Sequence, residues 1–154
     1  MSTPAGPPTA PSPGAALLRG AGLRATAPRV AALAVLADQP HADADDVARG
    51  VRERIGSVSV QAVYDVLGAL HRAGLVRRIE PAGSPARFEL RVDDNHHHLV
   101  CRGCGEVRDV DCATGAAPCL EPAGARGTGG GFEGFVVDEA EVIYWGTCAR
   151  CAAG

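Results

Sequence analysis

The apolar residues in the first half of the chain recur at the spacing of amphipathic helices. This pattern predicts four helical segments, "ALLRGAGL", "RVAALAVLAD", "ADDVARGVRERI" and "VQAVYDVLGALHRAG". Side chains that cap helix N-termini precede three of them: Thr26 before the second segment, Asp43 before the third, and Ser57 or Ser59 before the fourth. We expect the fourth helix to end at Gly74.

A strand, a turn and a second strand are predicted after these helices, in the segments "LVRRIE", "PAGSP" and "ARFELR". Helices followed by a two-stranded hairpin are the element order of a winged helix-turn-helix. In that design the last helix enters the major groove of DNA and the hairpin lies along the backbone. The first half is therefore predicted to be a winged-helix DNA-binding domain. The alternative is a solvated helical domain that binds no DNA.

The predicted recognition helix carries polar side chains on the face opposite its apolar stripe. Gln61 can form paired hydrogen bonds with adenine, and the Tyr64 ring can contact a thymine methyl group or a phosphate. Arginines on the hairpin and earlier in the chain are candidate phosphate contacts. These arginines are Arg24, Arg29, Arg77, Arg78 and Arg87.

The second half of the chain is predicted to consist mainly of strands. "HHHLVC" directs His96 and His98 to one face of a strand and His97 to the other. "EVRDVD" and "GFVVDEAEVIYWGTC" are also predicted to be extended, and "ATGAAPCLEPAGARGTGGG" between them to be a mobile loop. Helices followed by strands place the whole chain in the α+β class.

Composition and charge divide the chain into two parts. It has 154 residues, of which 46% are hydrophobic, enough for a packed core. Residues 1–92 carry 11 arginines and 8 acidic residues, whereas residues 93–154 carry 4 arginines and 10 acidic residues. A basic half joined to an acidic half indicates domains with different roles. We expect a disordered tail over 1–14, a DNA-binding domain over 15–91 and a metal-binding domain over 92–154.

The sequence contains no stretch of roughly eighteen apolar residues that would cross a membrane. The opening "MSTPAGPPTAPSPG" lacks the charged start and apolar run of a signal peptide. We therefore expect a cytoplasmic protein with no membrane partner. Thiols stay reduced in that compartment, where paired cysteines bind metal more often than they form disulfides.

Two Cys-x-x-Cys pairs each begin near the end of an apolar strand. Four thiolates from such turns can surround Zn²⁺ tetrahedrally and leave no position open for catalysis, which makes the predicted site structural. A pair of redox dithiols is the alternative, but it requires a strand-to-helix turn in a βαβ context, which neither pair has. Cys112 and Cys119 are assigned no role beyond free thiols or a loose reactive pair. The predicted zinc ligands are Cys101, Cys104, Cys148 and Cys151.

The histidines require a different explanation, because four cysteines already complete a zinc site. His96 and His98 on one strand face can chelate a second metal, with Glu89 and Asp109 as candidate carboxylate ligands. Imidazole with carboxylate suits Fe²⁺, Mn²⁺ or Zn²⁺. His41 lies just before the third helix, where a lone histidine is more often a solvated surface group.

Taken together, these residues resemble a known family. From about residue 17 to 151 the chain resembles the ferric uptake regulator family of metal-dependent repressors, through "LRATAPR", "VSVQAVYDVL", "AGLVRRIE", "RFELRVDDNHHHLVCRGCG" and "YWGTCARC". Through "QAVYDVL", "DNHHHLVCRGCG" and "DEAEVIYWGTC" it is most similar to the actinobacterial branch associated with peroxide response and catalase-peroxidase control. The resemblance implies a homodimer on a palindromic operator, with an N-terminal winged helix and a C-terminal α/β dimerisation domain.

The resemblance also implies a regulatory metal, Fe²⁺ or Mn²⁺, held between the two domains. It implies a transcriptional repressor rather than an enzyme, namely an iron-loaded peroxide sensor that controls oxidative-stress or iron-homeostasis genes. The alternatives are a zinc- or manganese-responsive uptake repressor of the same architecture and, among enzymes, a thiol oxidoreductase or an iron hydrolase. Carried onto this sequence, the regulatory ligands are His41, Glu89, His96, His98 and Asp109.

The chain departs from the family pattern in its second half. Asn95 and Ala140 occupy two positions where the family often has ligands of a third metal site, so we expect no such site and no metal for His97. The usual dimerisation helix is not visible in the glycine-rich stretch, which predicts a remodelled C-terminal domain. Asp109 agrees with the peroxide-sensing pattern, whereas Glu89 has the spacing seen in iron sensors.

Overall fold

The computed structural model describes residues 12–90, 94–115, 119–120, 131–132, 135–137 and 140–154. The chain folds into two compact units. Unit 1 comprises Met1–Glu80 and Pro85–Val92, and unit 2 comprises Pro81–Ser84 and Asp93–Gly154. Within the described residues no helix is long and apolar enough to cross a bilayer.

Four helices form most of unit 1, as the apolar spacing predicts. They are α1 (Pro13–Gly20), α2 (Ala27–Asp38), α3 (Ala44–Ile55) and α4 (Val60–Arg72). The predicted tail over 1–14 was too long, because α1 begins at Pro13. Residues 1–11 of that prediction lie outside the described residues.

Side-chain caps fix three of the four helix starts. The carboxylate of Asp43 accepts a hydrogen bond from the Asp46 amide at 2.9 Å, which confirms the predicted cap of α3. Ser59, not Ser57, caps α4. Ser12 caps α1 in the same way. The prediction for Thr26 was wrong in part: it precedes α2, but its side chain makes no capping hydrogen bond.

The helices pack around one apolar core, and α2 and α3 approach closely at Gly50. A Cβ atom added there would lie 2.7 Å from Cγ2 of Val35 on α2. The close packing of α2 against α3 therefore requires a residue without a side chain at position 50. Other core residues include Leu18, Leu36, Val47, Val63, Leu67, Leu70 and Phe88.

A small antiparallel sheet completes unit 1, in the order β1–β3–β2. Its strands are β1 (Ala42–Asp43), β2 (Arg77–Ile79) and β3 (Arg87–Glu89). The β2–β3 hairpin confirms the predicted wing, and its position after α3 and α4 confirms the winged-helix order. Strand β1 was not predicted, because two residues are too few to show a period.

The core of unit 2 is a three-stranded sheet in the order β5–β4–β8. In it β4 (His96–Cys101) runs antiparallel to β5 (Val107–Asp111) and parallel to β8 (Ile143–Gly146). A separate hairpin pairs β6 (Gly131–Phe132) with β7 (Phe135–Val136), and the short helix α5 (Ala149–Ala152) ends the unit. Most of the predicted mobile loop lies outside the described residues.

Candidate functional site

The two Cys-x-x-Cys pairs come together because β4 and β8 are parallel. Cys101 at the end of β4 is in register with Gly146 at the end of β8, so the two following turns lie side by side. The four sulfur atoms all lie within 4.8 Å of one another. The Sγ atoms of Cys104 and Cys148 are 3.7 Å apart. The structure thus brings the four predicted zinc ligands together, in a cluster that Zn²⁺ can occupy tetrahedrally.

The backbone around the first pair is shaped for this close approach. The Cys101 amide donates to the carbonyl of Glu106 at 2.9 Å, and the Gly105 amide donates to the carbonyl of Cys101 at 2.9 Å. A Cβ atom added at Gly103 would lie 3.0 Å from Sγ of Cys151. Gly103, the second of the two residues between Cys101 and Cys104, therefore lets the second pair approach the first closely.

Within the cluster the pKa of Cys101 is lowered and the pKa of Cys151 is raised. The Cys148 amide donates a hydrogen bond to Sγ of Cys101 at 3.2 Å and lowers the pKa of that thiol to about 6. Hydrogen bonds with Cys104 and Cys148 instead raise the pKa of Cys151 to about 12. Thiols this crowded resist losing every proton unless a cation offsets the charge, and Zn²⁺ supplies that charge.

A second group of ligand atoms lies on one face of the unit 2 sheet. His98 is in register with Asp109 across the β4–β5 pair. The Asp109 carboxylate Oδ1 lies 3.8 Å from Nε2 of His96 and 3.7 Å from Nε2 of His98. These separations exceed a hydrogen bond and suit atoms that each bind a common ion at about 2 Å. The alternation predicted for "HHHLVC" is confirmed.

Two carboxylates that were not predicted as part of this site lie on the far side of these imidazoles from Asp109. Asp94 Oδ1 lies 2.9 Å from Nδ1 of His96, so the other ring nitrogen is the one directed at Asp109. Glu141 Oε1 lies 4.0 Å from Nδ1 of His98. A carboxylate hydrogen-bonded to the second nitrogen, as Asp94 is to His96, fixes the tautomer and orientation of a histidine that binds metal. The separation between Glu141 and His98 is longer than a hydrogen bond. The available signal for Asp94 was an acidic residue two positions before His96.

In unit 1 His41 is buried, whereas a lone histidine at such a position is more often a solvated surface group. Its Nε2 atom lies 2.9 Å from Oε2 of Glu89, which is also buried. The backbone of His41 adopts φ 62°, a left-handed conformation that is uncommon outside glycine. Arg87 donates to the His41 carbonyl at 3.3 Å and helps to hold that conformation. Such strain is maintained where the surrounding structure requires it, often at functional sites.

His97 faces away from its two neighbouring histidines and contacts a cysteine. Its Nε2 atom lies 3.2 Å from Sγ of Cys119, and the Cys112 sulfur completes a group whose ligand atoms all lie within 4.8 Å of one another. A hydrogen bond with Thr114 lowers the pKa of Cys112 to about 6, whereas burial raises the pKa of Cys119. The sequence analysis assigned no metal to His97 and no role to either thiol.

The candidate DNA-binding face of unit 1 centres on α4. Tyr64 is 51% exposed and lies at the flank of the buried stripe that contains Val63 and Leu67. It lines a cleft between α4 and the β2–β3 hairpin together with Arg78. Gln61 is exposed, and its amide donates to Asp65 on the next turn at 3.1 Å, a bond that must open before Gln61 can contact a base.

The predicted phosphate-contacting arginines differ in their availability. Arg24 is exposed, and Arg29 is half-buried and donates to the Arg24 carbonyl at 3.0 Å. Arg78 is exposed and paired with Glu80, and Arg77 beside it is half-buried. Arg87 is half-buried and donates to the His41 carbonyl at 3.3 Å, which leaves its predicted contact with phosphate a prediction.

Comparisons with known proteins converge on one family. The model of the ferric uptake regulator family matches residues 20–117. The chain is 56% identical over 135 residues to the transcriptional regulator FurA of Mycobacterium tuberculosis, covering 88% of this chain and 87% of that protein. It is 57% identical over 129 residues to ferric uptake regulation protein 1 of Mycolicibacterium fortuitum, covering 84% and 76% of the two chains.

A solved structure shares the fold. The ferric uptake regulator of Pseudomonas aeruginosa with manganese aligns with a TM-score of 0.64 at 29% identity, covering 89% of this chain and 98% of that one. The fold assigned from the order of helices and strands is therefore found in an experimentally determined protein.

Proposed function

Because the chain belongs to the ferric uptake regulator family of metal-responsive transcriptional regulators, we propose that it is a repressor that senses peroxide through bound Fe²⁺. It binds a palindromic operator as a homodimer when the regulatory site is loaded, and releases the operator when that site is oxidised. The convergence of His96 and His98 on Asp109 carries this proposal, since it offers nitrogen and oxygen donors to an exchangeable ion.

A structural Zn²⁺ is assigned to Cys101, Cys104, Cys148 and Cys151. The support is the closeness of the four sulfur atoms and the narrow turn at Gly103. A four-thiolate site has no open position, so it contributes folding free energy rather than chemistry. It would tie the end of β4 to the end of β8 and to α5.

The regulatory ion is assigned to His96, His98 and Asp109 of unit 2 together with His41 and Glu89 of unit 1. Each of these groups is buried or half-buried. A set of imidazoles and carboxylates suits Fe²⁺ or Mn²⁺ in a five- or six-coordinate arrangement.

An ion with ligands from both units would favour one angle between them. In a dimer that angle sets the spacing of two recognition helices, which has to match successive major grooves of a palindrome. A coupling free energy of about 1–3 kcal/mol corresponds to a change in DNA affinity of roughly 5- to 150-fold. Metal occupancy would then be read out directly as operator binding.

Bound Fe²⁺ supplies the chemistry that reduces peroxide and oxidises an adjacent side chain. His96 and His41 are the imidazoles assigned to that position, each fixed by a carboxylate, Asp94 for His96 and Glu89 for His41. An imidazole that gains oxygen loses the nitrogen lone pair as a donor. The site then loses a ligand, and the ion no longer favours one angle between the two units.

Dimerisation is assigned to unit 2. Leu99 on β4 and Tyr144 on β8 are directly opposed in the sheet and are 44% and 49% exposed. Apolar side chains that share one exposed sheet face are a common signature of contact with a partner. The partner proposed here is a second copy of the chain.

A manganese- or zinc-responsive uptake repressor is the second candidate, and the same donor set favours it. Nitrogen and carboxylate ligands accept Mn²⁺ as well as Fe²⁺, and the related Pseudomonas aeruginosa structure is described with manganese. The two functions differ in their response to peroxide.

Selection of duplexes from a random-sequence library tests the proposal. Zinc-loaded protein with Fe²⁺, kept without oxygen, should enrich a palindrome, and peroxide should abolish recovery of that palindrome. The same protein with Mn²⁺ should enrich it and resist peroxide. Loss of binding that depends only on metal concentration would favour the uptake repressor, and turnover of peroxide over many cycles would favour an enzyme.

A further inference from the structure

The strand pairing of unit 2 sorts its metal-binding side chains onto two faces. His97 is in register with Val110, and the Cys112 amide just beyond β5 donates to the Asn95 carbonyl at 3.2 Å. Directly opposed residues point to the same side of a sheet, and neighbours in a strand point to opposite sides. His97 and Cys112 therefore share the face that is opposite to His96 and His98.

A second sulfur reaches this face from further along the chain. The Sγ atom of Cys119 lies 3.2 Å from Nε2 of His97 and 3.9 Å from the carbonyl oxygen of Ala140. One imidazole nitrogen and two thiol sulfurs, from His97, Cys112 and Cys119, all lie within 4.8 Å of one another. Three residues without an assigned function thus form one cluster.

The side chains of this cluster are buried or half-buried, as expected for the ligands of a metal ion and not for free surface thiols. His97 is 4% exposed, and its Nδ1 atom has no hydrogen-bond partner among the described residues, so the ring acts through Nε2. Cys112 and Cys119 are half-buried, which leaves a route for an ion to enter. A donor set with two sulfurs selects soft cations such as Zn²⁺ over Mn²⁺.

We propose that His97, Cys112 and Cys119 form a third metal site, which binds a thiophilic cation of the Zn²⁺ class. Three protein ligands leave one tetrahedral position open, so the ion exchanges more readily than one held by four thiolates. This site is distinct from the four-cysteine cluster, and its ligands lie on the sheet face opposite to His96, His98 and Asp109.

Cobalt titration of the full chain tests this site. The reduced protein is treated with a chelator until only tightly held zinc remains, and Co²⁺ is then added without oxygen. Thiolate-to-Co²⁺ charge-transfer absorption should rise to one equivalent per chain while the zinc content, measured in the same sample, stays constant. Nitrogen and oxygen ligands give no such band, so the regulatory ligands do not contribute to it.

Matched variants assign the band to residues. The double variant Cys112→Ser with Cys119→Ser should lose the band and keep its zinc, and His97→Ala should weaken Co²⁺ binding at least tenfold. His96→Ala, on the opposite face, should leave the band unchanged. A wild-type protein that keeps its zinc and shows no band, or a double variant with the wild-type band, would overturn the proposal.

Alkylation gives a second readout that needs no variant. Mass spectrometry measures how fast iodoacetamide modifies Cys112 and Cys119. Zn²⁺ added to chelator-treated wild-type protein should slow this modification at least tenfold. Equal rates with and without Zn²⁺ would contradict the site. If the reduced protein does not bind Co²⁺ and added peroxide converts the two thiols to a Cys112–Cys119 disulfide, with the peroxide reduced to water, the pair is a redox dithiol and not a metal site.

Discussion

His41 and Glu89 form a buried pair in which Nε2 of the histidine lies 2.9 Å from Oε2 of the carboxylate. One residue precedes β1 and the other ends β3, and the antiparallel pairing of these strands brings them together. The sequence analysis could assign His41 only through the family resemblance. In the structure a strained backbone and a buried carboxylate fix the His41 ring in one orientation. This fixed orientation supports the proposal that His41 is a metal ligand.

His41→Ala tests the assignment of this pair to the regulatory site. We expect the variant to stay folded and dimeric, to keep its tightly held zinc, and to lose the roughly 5- to 150-fold stimulation of operator binding by Mn²⁺. Fluorescence anisotropy with and without Mn²⁺ measures the stimulation. His71→Ala, which changes a surface histidine of the same unit, is the matched control and should keep it. Full stimulation in His41→Ala would remove His41 from the site.

Cys101→Ser should remove the structural zinc. Cys101 accepts a hydrogen bond from the Cys148 amide as well as serving as a proposed ligand, so its loss separates the two turns. We expect less than one chelator-resistant zinc per chain, with unfolding of unit 2 or dissociation of the dimer. Elemental analysis and sedimentation report both effects. Cys119→Ser should keep the chelator-resistant zinc. A zinc-free, folded dimer of Cys101→Ser would show that the four thiols are not a structural site.

Gly50→Ala should destabilise the protein although alanine favours helices. The new methyl group would meet Val35 at 2.7 Å, and overpacking of this kind costs about 1–3 kcal/mol against a helix gain of about 1 kcal/mol. Gly68→Ala on α4 is the control, since its Cβ would meet only the mobile end of Arg72 at 3.2 Å. Thermal denaturation should show a lower Tm for the first variant and an equal or higher Tm for the second. An equal rise in Tm for both variants would contradict the close contact between α2 and α3.

Tyr64→Ala and Arg78→Ala should weaken DNA binding in different ways. Tyr64 is exposed on α4, so its loss should reduce affinity for the operator more than for unrelated duplexes. Arg78 on the wing should act through phosphate, so its loss should weaken binding to both duplexes and flatten the salt dependence by about one ion. Titrations at several salt concentrations separate these effects. A change in base preference alone for Arg78→Ala would contradict the wing assignment.

Much of unit 1 was predictable because its helices are long and strongly periodic. The spacing around Val47 and Val63 predicts two of them, and Asp43 supplies a local start signal. Thr26 shows the limit of such signals, since the residue type matches a cap while its side chain makes no capping bond. The short β1 gives no periodic signal, and its pairing with β3 depends on contacts distant in sequence.

Unit 2 was predictable where residues repeat at short range. The Cys-x-x-Cys spacing and the alternation at His96, His97 and His98 agree with the ligand clusters and faces found in the structure. The meeting of His97 with Cys119 was not predictable, because it depends on the path of the chain after β5. The resemblance to the family predicted no third metal site and no metal for His97, since Asn95 and Ala140 occupy positions where the family often has ligands.

We propose that an exchangeable metal controls DNA binding, and the anisotropy of one labelled operator measures this control. Zinc-loaded wild-type protein is titrated onto the selected palindrome without further metal, with Mn²⁺, with Fe²⁺, and with Fe²⁺ followed by peroxide. We predict that Mn²⁺ and Fe²⁺ each tighten binding by roughly 5- to 150-fold. Peroxide should reverse the effect of Fe²⁺ alone, with added oxygen on His96 or His41 in mass spectra. The same operator affinity in all four titrations would show that no exchangeable metal controls DNA binding.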